Sequence, residues 1–130
     1  MNSNITLFDS AEEVWFWFIA ANEARRDGAK IVANQGLYKR PCEPSDVLKI
    51  CERLYRHRRL DINHFRVLRH YGLRAISPDG DRPKEVLSFR LWGEAMDILE
   101  DVFISKGIVY PRLSAEVINF QERREAMLSW

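Results

Sequence analysis

The chain has 130 residues, of which 46% are hydrophobic and 30% are charged, and its formal net charge is +1 at pH 7. This balance is typical of a single globular domain and excludes an intrinsically disordered chain. The longest apolar run has eight residues, Val14 to Ala21, whereas a membrane-spanning helix needs roughly 20.

Residues 1–8 are predicted to be a loose lead-in to a first helix over Asp9–Asp27. Ser10 and Glu13 have the spacing of a capping box, in which each side chain accepts a hydrogen bond from a free backbone N–H group. The middle of the helix, VWFWFIAA, is apolar on all sides. This pattern predicts a helix in the centre of the core.

A loop is predicted over residues 28–42, which include two glycines and a proline. The second helix is predicted from Pro44 to about His57, because proline suits the first helical turn, where no N–H donor is needed. Its apolar face at helical spacing consists of Val47, Ile50, Cys51 and Leu54, flanked by Leu48 and Tyr55.

A short corner, RRLDI, leads to a third helix predicted over Ile62–Tyr71 and ended by Gly72. Asp61 is a favourable N-cap residue, and Leu60 and Phe65 have the spacing of a hydrophobic staple. The residues predicted to face inwards are Phe65, Val67, Leu68 and Tyr71, with His64 as a hydrogen-bonded side chain at the edge of the core.

The segment Ser77–Pro83 consists of turn residues and precedes a fourth helix, predicted over Leu91–Lys106 with a start as early as Lys84. One face of this helix is apolar and the other is rich in acidic residues. Gly107 is predicted to end it, and Ile108–Pro111 to be an extended connector.

A last helix is predicted within residues 112–130, from Ala115 to about Ser129, as an arm for dimerisation or docking. The whole pattern predicts a compact all-α domain, residues 1–130, of about five helices. In this domain the first and fourth helices sandwich a basic helix pair, residues 43–74.

Positive charge is concentrated in this pair. Between Lys49 and Arg74, eight basic residues stand against two acidic ones, so the segment has a net charge of +6 and the rest of the chain −5. Clustered arginine and lysine favour phosphate binding, because neutralised phosphates release their counterions. The predicted nucleic-acid-binding residues are Lys49, Arg53, Arg56, Arg58, Arg59, Asn63, Arg66, Arg69, His70 and Arg74.

The pair resembles a generic helix-turn-helix over Ser45–Gly72. The resemblance implies that the outer face of the third helix reads base edges, since arginine and asparagine can make bidentate hydrogen bonds to guanine and adenine. The helix pair departs from that motif at the corner, which has Arg59 and Leu60 instead of a glycine. The bulky side chain of Tyr55 is predicted to lie nearby. The alternative is a solvated basic face, or one paired with the acidic face of Arg90–Asp101.

Five segments, EVWFW, RPCEP, RLYRHRRL, RLWGEAM and KGIV, resemble a small family of alphaproteobacterial proteins of unknown activity. This resemblance implies a bacterial cytoplasmic protein and implies nothing about its chemistry. The same location is predicted by the opening residues, MNSNITLFDS, which lack the regions of a signal peptide. The two cysteines are also too few for a disulfide framework.

No phosphate-binding glycine loop, nucleophile elbow or HExxH helix occurs in the sequence. The cysteines and histidines are six to nine residues apart, without the close pairs of a structural zinc site. These residues are Cys42, Cys51, His57, His64 and His70. We therefore expect no enzyme activity, no metal and no cofactor.

The predicted function is DNA binding, as a small transcriptional regulator or chromosome-associated factor. Dimerisation through the last helix would suit this function, because helix-turn-helix proteins usually bind as dimers. The alternative is a protein-interaction adaptor, whose basic face or C-terminal helix docks an acidic protein partner.

Overall fold

The computed structural model describes residues 5–28 and 39–111, which form a helical domain without β-strands. The helices are α1 (Ala11–Arg26), α2 (Pro44–Arg56), α3 (Ile62–Arg74) and α4 (Val86–Ser105), with a 3₁₀ turn at Pro83–Glu85 before α4. The all-α prediction is confirmed. The predicted last helix and most of the predicted loop, residues 29–38, lie outside the described residues.

The ends of α1 follow the local sequence. Ser10 Oγ accepts a hydrogen bond from the Glu13 N–H at 3.2 Å, and Glu13 Oε1 accepts one from the Asp9 N–H at 2.7 Å. After the helix, Gly28 has a φ of 77°, a left-handed conformation that costs glycine little. The predicted helix therefore agrees with α1 to within two residues at each end.

The core is built around α1, which contacts the other three α-helices. Its buried side chains are Ala11, Val14, Trp15, Phe18 and Ala21. Helix α3 contacts both α1 and α4, and these two helices also contact each other. The predicted sandwich of the basic pair between the first and fourth helices is therefore not seen, and the main helical neighbour of α2 is α1.

Helices α1 and α3 approach each other closely at Gly72. The indole N–H of Trp15 donates a buried hydrogen bond to the Leu68 carbonyl oxygen at 2.8 Å. A Cβ atom on Gly72 would lie 2.8 Å from Trp15 Nε1 and 3.0 Å from Ile19 Cγ1. The predicted end of α3 at Gly72 is therefore wrong: this glycine provides room for α1, and the helix continues to Arg74.

The segment before α1 is hydrogen-bonded to the segment after α4. Phe8 is fully buried, its N–H donates to the Ile108 carbonyl at 2.9 Å, and its carbonyl accepts from the Tyr110 N–H at 3.0 Å. Ile108 and Val109 are also buried. The prediction of a loose lead-in is therefore wrong for residues 5–8, and the predicted connector after α4 contributes to the core.

The long helix α4 begins at Val86, so the earlier of its two predicted starts is the better one. Its buried face consists of Trp92, Ala95, Met96, Leu99 and Phe103. Gly107, with a φ of 73°, follows the helix as predicted. Within residues 5–28 and 39–111, no helix has the length and apolar character needed to cross a bilayer.

Candidate nucleic-acid interface

Helix α2 has a buried apolar side and an exposed basic side. Its first turn is stabilised by Asp46 Oδ2, which accepts a hydrogen bond from the Glu43 N–H at 2.8 Å. The predicted inner residues Val47, Ile50, Cys51 and Leu54 are all buried. Because the basic residues are spaced three or four apart, Lys49, Arg53 and Arg56 project together on the exposed side.

These basic side chains line a concavity of about 950 Å³ between α2 and the C-terminal end of α4, which we call the α2 groove. It is also lined by the apolar residues Ile50, Leu54 and Ile108, which are buried, and Val102, which is half-buried; we call these four its floor. Its cationic residues are Lys49, Arg53, Arg56, Arg59 and Lys106. Asp46 and Glu52 also line it, so these charged side chains sum to +3.

The cations of the α2 groove form no ion pair with any of residues 5–28 and 39–111. On the acidic side of α4, Glu94 contacts His64 and Arg90 instead of α2. Pairing of the basic run with this acidic face, one of the alternatives, is therefore not seen in the described part of the chain. Within the described part of the chain, these positive charges are therefore left for a ligand.

The corner between α2 and α3 is held by Asp61. Its Oδ1 accepts hydrogen bonds from the backbone N–H groups of Asn63 at 2.8 Å and His64 at 3.2 Å, which confirms the predicted N-cap. The bond from the His64 N–H is the main reason why the pKa of Asp61 lies below its ordinary value. Leu60 just before it is fully buried.

His64 is a hydrogen-bonded residue at the edge of the core, as predicted. Its side chain is 11% exposed, its Nδ1 accepts from the Asp61 N–H at 3.1 Å, and its Nε2 lies 3.0 Å from Glu94 Oε1. With Nδ1 as an acceptor, the ring hydrogen is at Nε2, where it can be donated to Glu94. Both ring nitrogens are thus used within the protein.

Five other predicted site residues lie on the exposed face of α3 and do not line the α2 groove. They are Asn63, Arg66, Arg69, His70 and Arg74. Arg66 Nη1 lies 3.5 Å from Asn63 Oδ1, so the two predicted base readers are neighbours. The ten predicted residues therefore divide into a groove set, an α3 set and Arg58 at the corner.

The helix pair lacks the close mutual packing of a helix-turn-helix. Helices α2 and α3 each pack more extensively on α1 than on each other. Tyr55, predicted to lie near the inner face, is 54% exposed, and its ring meets that of Phe65 edge-on at 6.1 Å. The basic surface of α2 is thus a wall of the groove, and α3 is a separate surface.

Two groove residues with basic side chains, Lys106 and His57, were not predicted as part of the site. Lys106 follows α4 and is brought beside α2 only by the tertiary fold. His57 is the C-cap residue of α2 within the basic run RLYRHRRL. Its position beside four arginines could have indicated that it belongs to the site.

Cys42 also lines the groove, but its thiol has no activating partner among the described residues. Burial, aided by the nearby charge of Asp46, raises the pKa of Cys42 to about 11. Burial likewise raises the pKa of Cys51 to about 12. Both thiols are therefore protonated at neutral pH, the form that is a poor nucleophile and a poor metal ligand. The described residues also contain no group of three or more metal-ligating side chains.

Arg58 adopts a left-handed backbone conformation, with a φ of 60°. Ala75, after α3, does the same with a φ of 56°. Because a Cβ atom makes this conformation costly, Arg58→Gly and Ala75→Gly should each raise the free energy of unfolding by about 1 kcal/mol. Urea denaturation of the two variants measures this gain, and a loss of stability in Arg58→Gly would contradict the backbone assignment.

Comparison of the chain with models of protein families, with curated proteins and with solved structures found no match.

Proposed function

We propose that this protein binds DNA in a bacterial cytoplasm, as a small regulator or chromosome-associated factor, with the phosphates held in the α2 groove. The observation that supports this proposal is the collection of five cations in one concavity without ion pairs among the described residues. Like charges three or four residues apart on a helix are unfavourable. An anionic ligand bound in the groove would offset the repulsion between these positive charges.

The chemistry of the groove suits phosphate. Three of the five cations are arginines, Arg53, Arg56 and Arg59, whose planar guanidinium groups can donate two parallel hydrogen bonds to a phosphate. Lys49 and Lys106 add charge on the two walls. A phosphate backbone entering the groove would therefore meet donors from both α2 and the end of α4.

The test is the salt dependence of binding to fluorescently labelled DNA, presented both as duplex and as single strand. The full-length protein should bind more weakly as salt rises. Arg56→Ala should reduce the log–log slope by about 0.9 for the duplex and about 0.7 for the single strand, the contribution of one phosphate contact. Arg25→Ala is the matched control, because Arg25 is exposed on α1 and does not line the groove.

Absence of binding to either form of DNA at low salt would overturn the proposal. An equal loss of slope in Arg25→Ala and Arg56→Ala would place the contact outside the groove. The adaptor alternative would then be tested with an acidic amphipathic peptide, which could match both the cations and the apolar floor.

A further inference from the structure

The α2 groove combines two chemistries that a duplex backbone would not use together. Cations stand along its walls, whereas Ile50, Leu54 and Val102 form an apolar floor. Its volume of about 950 Å³ is far more than a phosphate group needs. It lies within the range of roughly 300–1,000 Å³ that is typical of sites for organic molecules. The groove can therefore hold bases as well as phosphates.

The shape of the groove disfavours a duplex. A duplex hides the faces of its bases in the stack and is read by a helix or ribbon that projects into its grooves. Here the cations of α2 face a concavity whose opposite wall carries Lys106. A duplex backbone lying across the walls would leave the floor uncovered, whereas an unpaired strand can turn its bases towards it.

Stacking groups are present in the same concavity. His57, at the end of α2, is exposed and lines the groove beside Arg56 and Arg59. Histidine rings and guanidinium planes both stack on unpaired bases, and such stacking tolerates any sequence. Phe89 on α4 also has an exposed ring, 53% accessible, but it does not line the groove, so the chain contains its own matched control.

We infer that the α2 groove takes an unpaired strand of nucleic acid, with phosphates on its cationic walls and at least one base stacked at His57. This inference rests on the proposed binding of DNA and specifies the form of the ligand. It assigns a role to the apolar floor and to His57, neither of which a duplex backbone requires.

The experiment compares the full-length protein with a labelled single strand and with the duplex of the same sequence, by fluorescence anisotropy. The single strand should bind about tenfold more tightly, and His57→Ala should remove about that factor, the contribution of one stacked base. His57→Phe, which keeps a ring, should retain the affinity, and Phe89→Ala should leave it unchanged. Oligo-dT and oligo-U strands then distinguish DNA from RNA.

The outcomes separate the two proposals. Equal or tighter binding of the duplex, or an affinity that His57→Ala lowers no more than Phe89→Ala does, overturns the inference and leaves DNA binding in place. Binding of neither form overturns both. Thermal melting of each variant provides the folding control, and an affinity lost by His57→Ala but kept by His57→Phe is not explained by unfolding.

Discussion

Gly72→Ala is expected to lower the free energy of unfolding by about 1–3 kcal/mol, although alanine is the better helix former by about 1 kcal/mol. The added Cβ atom would lie 2.8 Å from Trp15 Nε1, closer than packed atoms approach. Trp15 is 4% exposed and is held by its hydrogen bond to Leu68, so it cannot simply swing away. The cost of overpacking therefore exceeds the gain in helix propensity.

Gly93→Ala is the matched control for this prediction. Gly93 lies in the interior of α4, and a Cβ atom there would meet nothing within 4 Å. This variant should raise the free energy of unfolding by about 1 kcal/mol, because only helix propensity changes. Urea denaturation of both variants gives the comparison, and a similar gain in both would show that α1 and α3 are farther apart than described.

The contrast between these glycines shows where the sequence was informative about the fold. The apolar faces of α2 and α4 were predicted correctly, because helical periodicity is a property of neighbouring residues. The role of Gly72 was not predicted correctly. In a single sequence, a glycine that ends a helix cannot be distinguished from one that makes room for a neighbouring helix. Only the position of Trp15 separates the two cases.

The same distinction applies to the candidate site. The basic side of α2 could be predicted from residue spacing, and all ten predicted residues are exposed or half-buried in the structure. The concavity could not be predicted, because Val102 and Lys106 reach α2 through long-range packing. The pairing of Phe8 with residues 108–110 is another long-range contact that no local pattern indicates.

Removing three arginines of the α2 groove together, as Arg53→Ala, Arg56→Ala and Arg59→Ala, should weaken DNA binding by about 100-fold near 0.15 M salt. Each phosphate contact adds about 0.9 to the slope of log affinity against log salt for a duplex and about 0.7 for a single strand, which at this salt is about four- to fivefold in affinity. Three contacts therefore give about two orders of magnitude. The loss should shrink towards none as the salt approaches about 1 M, where counterion release no longer contributes.

A second triple variant, Arg66→Ala, Arg69→Ala and Arg74→Ala, removes three positive charges from α3 and is the comparison for the groove variant. If the groove holds the phosphates, this variant should lose much less affinity, since its arginines do not line the groove. A larger loss in the α3 variant would instead support α3 as the reader of duplex DNA.

Neither set of arginines forms an ion pair with the described residues, so both triple variants should unfold at nearly the wild-type urea concentration. The groove variant should be slightly more stable, because Arg53 and Arg56 no longer repel each other along α2. A hundredfold loss of affinity in a protein of unchanged stability can then be assigned to the groove itself, because loss of the fold is excluded by the same measurement.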